Sequence, residues 1–339
     1  MKTLTGFMTT ALLGMTLGSA QAMDITGAGA TFPAPIYAKW AETYRAETGH
    51  TINYQAIGSG GGVKQIKART VDFGATDDPV PGQALDQDKL LQFPAVIGGI
   101  VPIVNIKGIG PGGLILNADV LSGIYQGRIN RWNDPAIASL NPGIKLPSQS
   151  ISPIYRSDSS GTTAAFTYYL AEAAPGFREA IGAGKTVDWP VGLGGRGNAG
   201  VAANVSKVAG SIGYVEYAYA KQNRLAHANF VNRAGKVVSP DHKSFAAAAR
   251  QADWQSAPGM GISLNNQADP EAWPMTAATF ILLHRDDLAG NQKTGEVLNF
   301  FRWALKKGQQ QAIDMDYVPI PDNVVPMIEQ SWQAAGARN

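Results

Sequence analysis

Apolar and polar positions alternate first with a strand period and then with a helix period along most of the chain, and this order predicts an α/β architecture. Thr51 to Ile57 reads as a strand, followed by a helix near 62–69, a strand at 71–75, a helix near 84–91 and apolar strands at 95–106. Between Asn117 and Gly127 the spacing of Val120, Leu121 and Ile124 gives one buried helix face, with Asn117 as its cap. Ala226 to Val238 has a hairpin pattern that turns at Asn232 to Gly235, and Thr279 to Leu283 is an apolar strand. Near the end, Val297, Leu298, Phe301 and Leu305 line one face of a helix, with Lys306 and Lys307 at its negative end and Gly308 as the residue that stops it. The aromatic residues Trp40, Phe301 and Trp303 fall within these apolar patterns and are expected in the core.

Three of the strand-to-helix turns share one composition. Arg156-Ser157-Asp158-Ser159-Ser160-Gly161-Thr162 places a guanidinium and several hydroxyls between a strand at 151–155 and a helix carrying Ala164, Phe166, Tyr169 and Leu170. The unpaired N–H groups and positive dipole end at such a helix mouth favour an anion. Arg156 offers a planar fork that Asp158 can hold in place. Ser159 or Ser160 also suits a plain helix cap. The design recurs, however, in Gly27-Ala28-Gly29-Ala30-Thr31-Phe32-Pro33 and in Gly58-Ser59-Gly60-Gly61-Gly62, each leading into a helix. Together the three loops suggest neutral dipoles and one cation around a small anion.

Lys2 followed by an uncharged stretch to Gly18 and the small-x-small run Ala20-Gln21-Ala22 reads as a secretory signal at residues 1–22, cleaved after Ala22. Its apolar part is shorter than the ~20 residues a membrane span requires. An exported chain with no cysteine has no disulfide framework, no thiolate nucleophile and no thiolate metal site. Once Lys2 is removed, 27 basic residues face 26 acidic ones, a formal charge of +1 that argues against nucleic acid and polybasic membrane contacts. The length fits two domains. The histidines at 50, 227, 242 and 284 are too scattered for a metal site. Gly192-Leu193-Gly194-Gly195-Arg196-Gly197 matches a dinucleotide fingerprint and precedes a helix-like run, but Trp189-Pro190 stands where its strand should be.

The loops at 27–33, 57–62 and 156–162, with Val71-Asp72-Phe73-Gly74-Ala75-Thr76-Asp77 and Ile212-Gly213-Tyr214-Val215-Glu216-Tyr217, resemble the periplasmic phosphate-binding proteins of phosphate-specific ABC importers. The resemblance runs from end to end of the chain after residue 22. It implies a two-domain periplasmic-binding-protein fold of type II-like topology, each domain a mixed β-sheet flanked by helices, with phosphate in the hinge cleft. Domain I would comprise 23–105 and 278–339, domain II 106–277, with crossings near Ile103 and Thr279. The family's contacts fall on the Thr31 hydroxyl and amide, the Phe32 amide, Ser59, Asp77, Arg156, Ser160, the Gly161 amide and Thr162, with Asp158 paired to Arg156. The implied protein is a periplasmic monomer without metal or cofactor, not an enzyme, that binds phosphate with high affinity and docks transiently on permease subunits. One neighbour departs from the family pattern: Asp78 follows Asp77 where a small uncharged residue is usual, which leaves open which carboxylate faces the ligand.

The residue types suggest how such a site would select its ligand. A carboxylate only accepts hydrogen bonds, so Asp77 pairs with the proton that phosphate keeps and repels sulfate, which has none. Serine and threonine hydroxyls, free to rotate, would then serve either the mono- or dibasic ion. A secreted phosphatase on the same cradle is the alternative, although it would need a metal pair, a thiolate or an activated histidine. An adhesin or structural protein would account for export but not for the three loops.

Overall fold

The computed structural model describes residues 22–337, so the signal expected at 1–22 lies almost wholly outside them. Twelve strands are formed among the described residues: β1 Asp24–Gly29, β2 Thr51–Ala56, β3 Phe73–Thr76, β4 Leu90–Val104, β5 Ile115–Leu116, β6 Ser152–Arg156, β7 Leu193–Gly195, β8 Ser211–Glu216, β9 Ala226–His227, β10 Asn229–Val231, β11 Val237–Val238 and β12 Thr276–His284. Most belong to one mixed sheet of order β2-β1-β3-β12-β4-β8-β6-β7, with β9 beside the end of β4, while β11-β10-β5 form a small second sheet.

The long strand β4 organises the sheet. It is buried at every position, as its apolar run requires. From Leu90 to Gly99 it pairs antiparallel with β12, and from Ile100 to Val104 with β8. The strands on the two sides of this change of partner run parallel among themselves: β1 with β2 and β3, and β6 with β7 and β8. The sheet therefore has two halves, each a set of strand-to-helix units whose helix mouths carry the loops singled out in the sequence. One continuous apolar core runs through both halves, with Trp40, Phe301 and Trp303 buried in it.

Several expected boundaries move for identifiable reasons. The strands expected at 95–106 begin at Leu90 and form a single element, and Pro94 is accommodated by a pairing shift opposite Thr279 and Phe280. The helix expected near 84–91 ends sooner, as Gly82–Gln87, because Lys89 adopts a left-handed φ of 51°. The helix expected near 62–69 is Ser59–Lys67. Its first turn packs on the backbones of β1 and β3, where a Cβ at Gly62 would sit 2.5 Å from Gly29 Cα and 2.7 Å from Ala75 O. Asn117 caps its helix by accepting the Val120 amide, and the hairpin of β10 and β11 turns at Asn232–Gly235. Gly308 is not a left-handed stop: at φ −81° it is the N-cap of the next helix, Gln309–Asp314.

Candidate functional site

Three of the strand-to-helix turns and the loop after β3 converge on one spot. From the first half come Thr31 and Phe32 after β1, Ser59 after β2 and Asp77 after β3; from the second come Arg156 to Thr162 after β6. All nine expected residues are brought together, and Thr31, Phe32, Ser59, Asp77, Arg156, Ser160 and Thr162 are buried.

Ser59 joins the two halves. Its Oγ accepts the amides of Asp77 and of Gly161, each at 3.1 Å, and its own hydrogen points toward Asp77 Oδ2 at 3.4 Å. Contact here is so close that a Cβ on Gly161 would lie 2.5 Å from Ser59 Oγ and 2.7 Å from Asp77 Cβ. Because the Gly161 amide is given to Ser59, the next one, that of Thr162, is the unpaired donor of this helix mouth. Among the described residues the amides of Thr31 and Phe32 also have no acceptor. Ser160 is the N-cap of the helix Gly161–Ala173, its Oγ accepting the Thr163 amide at 3.0 Å. Its hydroxyl hydrogen is left over.

Arg156 is the cation of the cradle. Nε donates to Asp158 Oδ1 at 2.8 Å and Nη2 to Oδ2 at 2.6 Å, while Nη1 donates to Thr162 Oγ1 at 3.2 Å. Two of its five N–H groups are left free of these bonds. Burial pushes the Asp158 carboxyl up, but the Arg156 hydrogen bonds and charge and the Gly197 amide outweigh it and hold the group below the usual range.

Asn198, which the sequence reading missed, controls the threonine hydroxyls. It is fully buried in the helix Gly197–Lys207. Its amide and Nδ2 both donate to Thr31 Oγ1, at 3.1 and 2.7 Å, and Nδ2 also donates to Thr162 Oγ1 at 3.3 Å. Thr31 Oγ1 thus accepts twice, and Thr162 Oγ1 accepts from Asn198 and Arg156. With both lone pairs taken, each hydroxyl has only its hydrogen to offer. These two groups are fixed donors, not the freely rotating ones expected from residue type. Asn198 lies just beyond the Gly192–Gly197 run, whose glycines build a fifth loop of this cluster; Gly197 donates to Asp158 Oδ1 at 2.9 Å.

Asp77 is the acceptor among these donors. Its Oδ1 receives the Thr279 hydroxyl at 2.6 Å. Burial pushes its carboxyl up to about 7, against the pull of the Thr279 hydroxyl, the Arg156 charge and the Ser59 hydroxyl, with Asp78 adding to the rise. Asp78 points elsewhere and pairs with Lys185.

The loop at Thr31 and Phe32 is held from behind. Tyr219 donates its hydroxyl to Thr31 O at 2.6 Å. Tyr317 Oη lies 2.7 Å from Phe32 O and 2.8 Å from Glu216 Oε2. One phenolic hydrogen cannot serve both, and a carbonyl cannot donate. The bonds close when Tyr317 donates to Phe32 O and a protonated Glu216 donates to Tyr317. Burial pushes the Glu216 carboxyl well above its usual range, in keeping with that proton count.

The site is therefore donor-rich with one buried acceptor, and known proteins share its frame. The profile of the PBP superfamily domain matches residues 16–307. The phosphate-binding protein PstS of Pasteurella multocida is 53% identical over 315 residues, covering 93% of this chain and 91% of its own. That of Haemophilus influenzae is 52% identical over 318 residues, covering 94% and 95%. The solved structure of a human phosphate binding apolipoprotein shares the fold with a TM-score of 0.71 at 19% identity, covering 91% of this chain and 94% of its own.

Proposed function

The chain belongs to the PstS family of phosphate-binding proteins, and on that premise we propose that it captures inorganic phosphate in the periplasm and delivers it to the permease of a phosphate ABC importer. It is a binding protein and not an enzyme, which sets aside the phosphatase alternative. The observation that carries the reading is the composition of the site: many fixed donors around a single carboxylate. A tetrahedral oxyanion satisfies the donors, and only one that still carries a proton satisfies Asp77.

In this reading phosphate receives the Thr31 hydroxyl and amide, the Phe32 amide, the free N–H groups of Arg156 and the Ser160 and Thr162 hydroxyls, takes the Ser59 hydrogen as it turns from Asp77 Oδ2 to the anion, and donates a hydrogen bond to Asp77. Asp158 fixes the guanidinium, and Gly161 lets the two halves meet. Residues 23–105 with 278–339 would form one domain and 106–277 the other, closing over the anion as a clamp. The working form is a monomer, released from its signal by cleavage after Ala22.

Isothermal titration of the chain lacking residues 1–22 tests this, with one phosphate per chain expected. Phosphate should also raise the melting temperature and reduce the radius in solution scattering, because it binds the closed native form preferentially. Absence of binding, or hydrolysis of p-nitrophenyl phosphate, would overturn the proposal.

A further inference from the structure

Asp78 follows the cradle carboxylate Asp77 directly, and the structure gives it a partner in the opposite half of the sheet. Lys185 Nζ lies 2.5 Å from Asp78 Oδ2, the two being 107 residues apart in the chain. Each is anchored beside the site by its backbone. Thr76 Oγ1 accepts the Asp78 amide at 3.1 Å and donates to Asp78 O at 2.8 Å, which holds the residue directly behind Asp77. Lys185 O accepts the Ser160 amide at 3.0 Å, tying the lysine to the helix mouth of the second half.

The local charge shows what the pair does. Arg156 is engaged in the two-pronged bond to Asp158, and among the described residues it makes no bond to Asp78. Without Lys185, a second carboxylate one residue from Asp77 would stand uncompensated near any anion in the cradle. Side-chain exposure of 14% for Asp78 and 35% for Lys185 leaves the pair less screened than one on the open surface. Only one other ion pair joins the two halves among the described residues, Lys221 with Asp316. That pair sits near the crossover, since Asp316 precedes the segment whose Val318 bridges Ile97 of β4. The Asp78–Lys185 pair instead joins the loops that carry the site.

We propose that Lys185 and Asp78 form a strap across the phosphate site: Lys185 cancels the charge of Asp78 beside the bound anion, and the pair holds the two halves together, so that it sets how fast phosphate leaves. The two are positioning residues, acting through the field and the closure of the site. The inference rests on phosphate binding at this cradle.

The test is stopped-flow release and calorimetric affinity of phosphate for the chain lacking residues 1–22, in the parent, Lys185→Ala, Asp78→Ala, the double variant and Lys185→Arg. Lys185→Ala loses the strap and also uncovers Asp78, so its release rate should rise about tenfold. Adding Asp78→Ala removes the uncovered charge and should recover about threefold in affinity, a rescue that loss of packing alone would not produce. Lys185→Arg should stay within about threefold of the parent, and the double variant should lose the salt dependence of release. Melting temperatures without phosphate check that all variants are folded. Release from Lys185→Ala within about twofold of the parent, or a double variant no better than Lys185→Ala, would overturn the strap. Either result leaves phosphate binding intact, whereas failure of the parent to bind would refute the function itself.

Discussion

Thr279 Oγ1, in the middle of β12, donates to Asp77 Oδ1 at 2.6 Å, joining the strand that returns to the first half of the sheet to the carboxylate at the end of β3. The bond fixes which oxygen of Asp77 is occupied and leaves the other, beside Ser59, to meet a ligand proton. Asp77→Asn is nearly isosteric and turns that position into a possible donor. Phosphate affinity should change little, while the preference for phosphate over sulfate falls at least about tenfold, or about 1.4 kcal/mol. Competition titration of both anions at fixed ionic strength measures it. Asp78→Asn, altered at the carboxylate that faces Lys185, should keep the preference; the reverse pattern would assign the discriminating group to the wrong residue.

The same carboxylate links stability to pH. Its folded value, raised to about 7 by burial, lies above that of an unfolded aspartate near 3.9. Below the unfolded value both states are protonated and Asp77 costs nothing. The cost grows as pH rises between the two values and is complete above about 7, on the order of 4 kcal/mol at most. Without phosphate the parent should therefore lose stability between about pH 4 and pH 8 relative to Asp77→Asn, by denaturant titration in parallel. Asp158 has the opposite sign: its stabilisation is present above the unfolded value and is lost as pH falls through the lowered folded one.

Arg156→Ala removes the cation and leaves Asp158 with only the Gly197 amide. Phosphate affinity should fall by at least about a hundredfold, consistent with losses of about 2–5 kcal/mol when one member of a buried charge pair is truncated. Arg156→Lys should not restore it, since one ammonium cannot occupy both Asp158 oxygens and still reach Thr162. A calorimetric Kd within about threefold of the parent for either variant would remove Arg156 from the site.

Asn198→Ala should act at a distance from any ligand contact. Thr31 and Thr162 regain lone pairs and cease to be fixed donors, and the buried Glu216 amide loses its acceptor. We expect phosphate affinity to drop about tenfold to a hundredfold and stability to fall by about 1–3 kcal/mol. Denaturant midpoints and titrations on the same samples separate the two effects, and unchanged affinity with lowered stability would limit Asn198 to a structural role.

Most of the cradle was legible in the sequence because its parts are local. Thr31, Ser59 and Ser160 each stand in a run of glycines and hydroxyls at a helix mouth, and the pattern that announces such a mouth spans only a few residues. Asn198 was hidden for two reasons: β7 is three residues long, and it lies inside the glycine run, not ahead of it. Trp189-Pro190 argued against a strand ahead of the run and so against a dinucleotide site, and that left the loop without any expected role. Thr279 gave no signal, because a threonine within an apolar strand is ordinary and its partner is 202 residues away. The pairing of Lys185 with Asp78 was invisible for the same reason of distance.

The change of partner along β4 bears on how the chain comes into being. Neither flank of β4 is supplied by its sequence neighbours: β8 begins at Ser211 and β12 at Thr276. A growing chain that has emerged only as far as Val104 therefore exposes a long strand, apolar at every position but Gln92, with two bare edges, and it cannot finish its main sheet until His284 has followed. Such late, distant pairing makes folding slow and leaves intermediates prone to aggregate. It also keeps the polypeptide threadable until it is nearly complete, which fits the periplasmic destination proposed above.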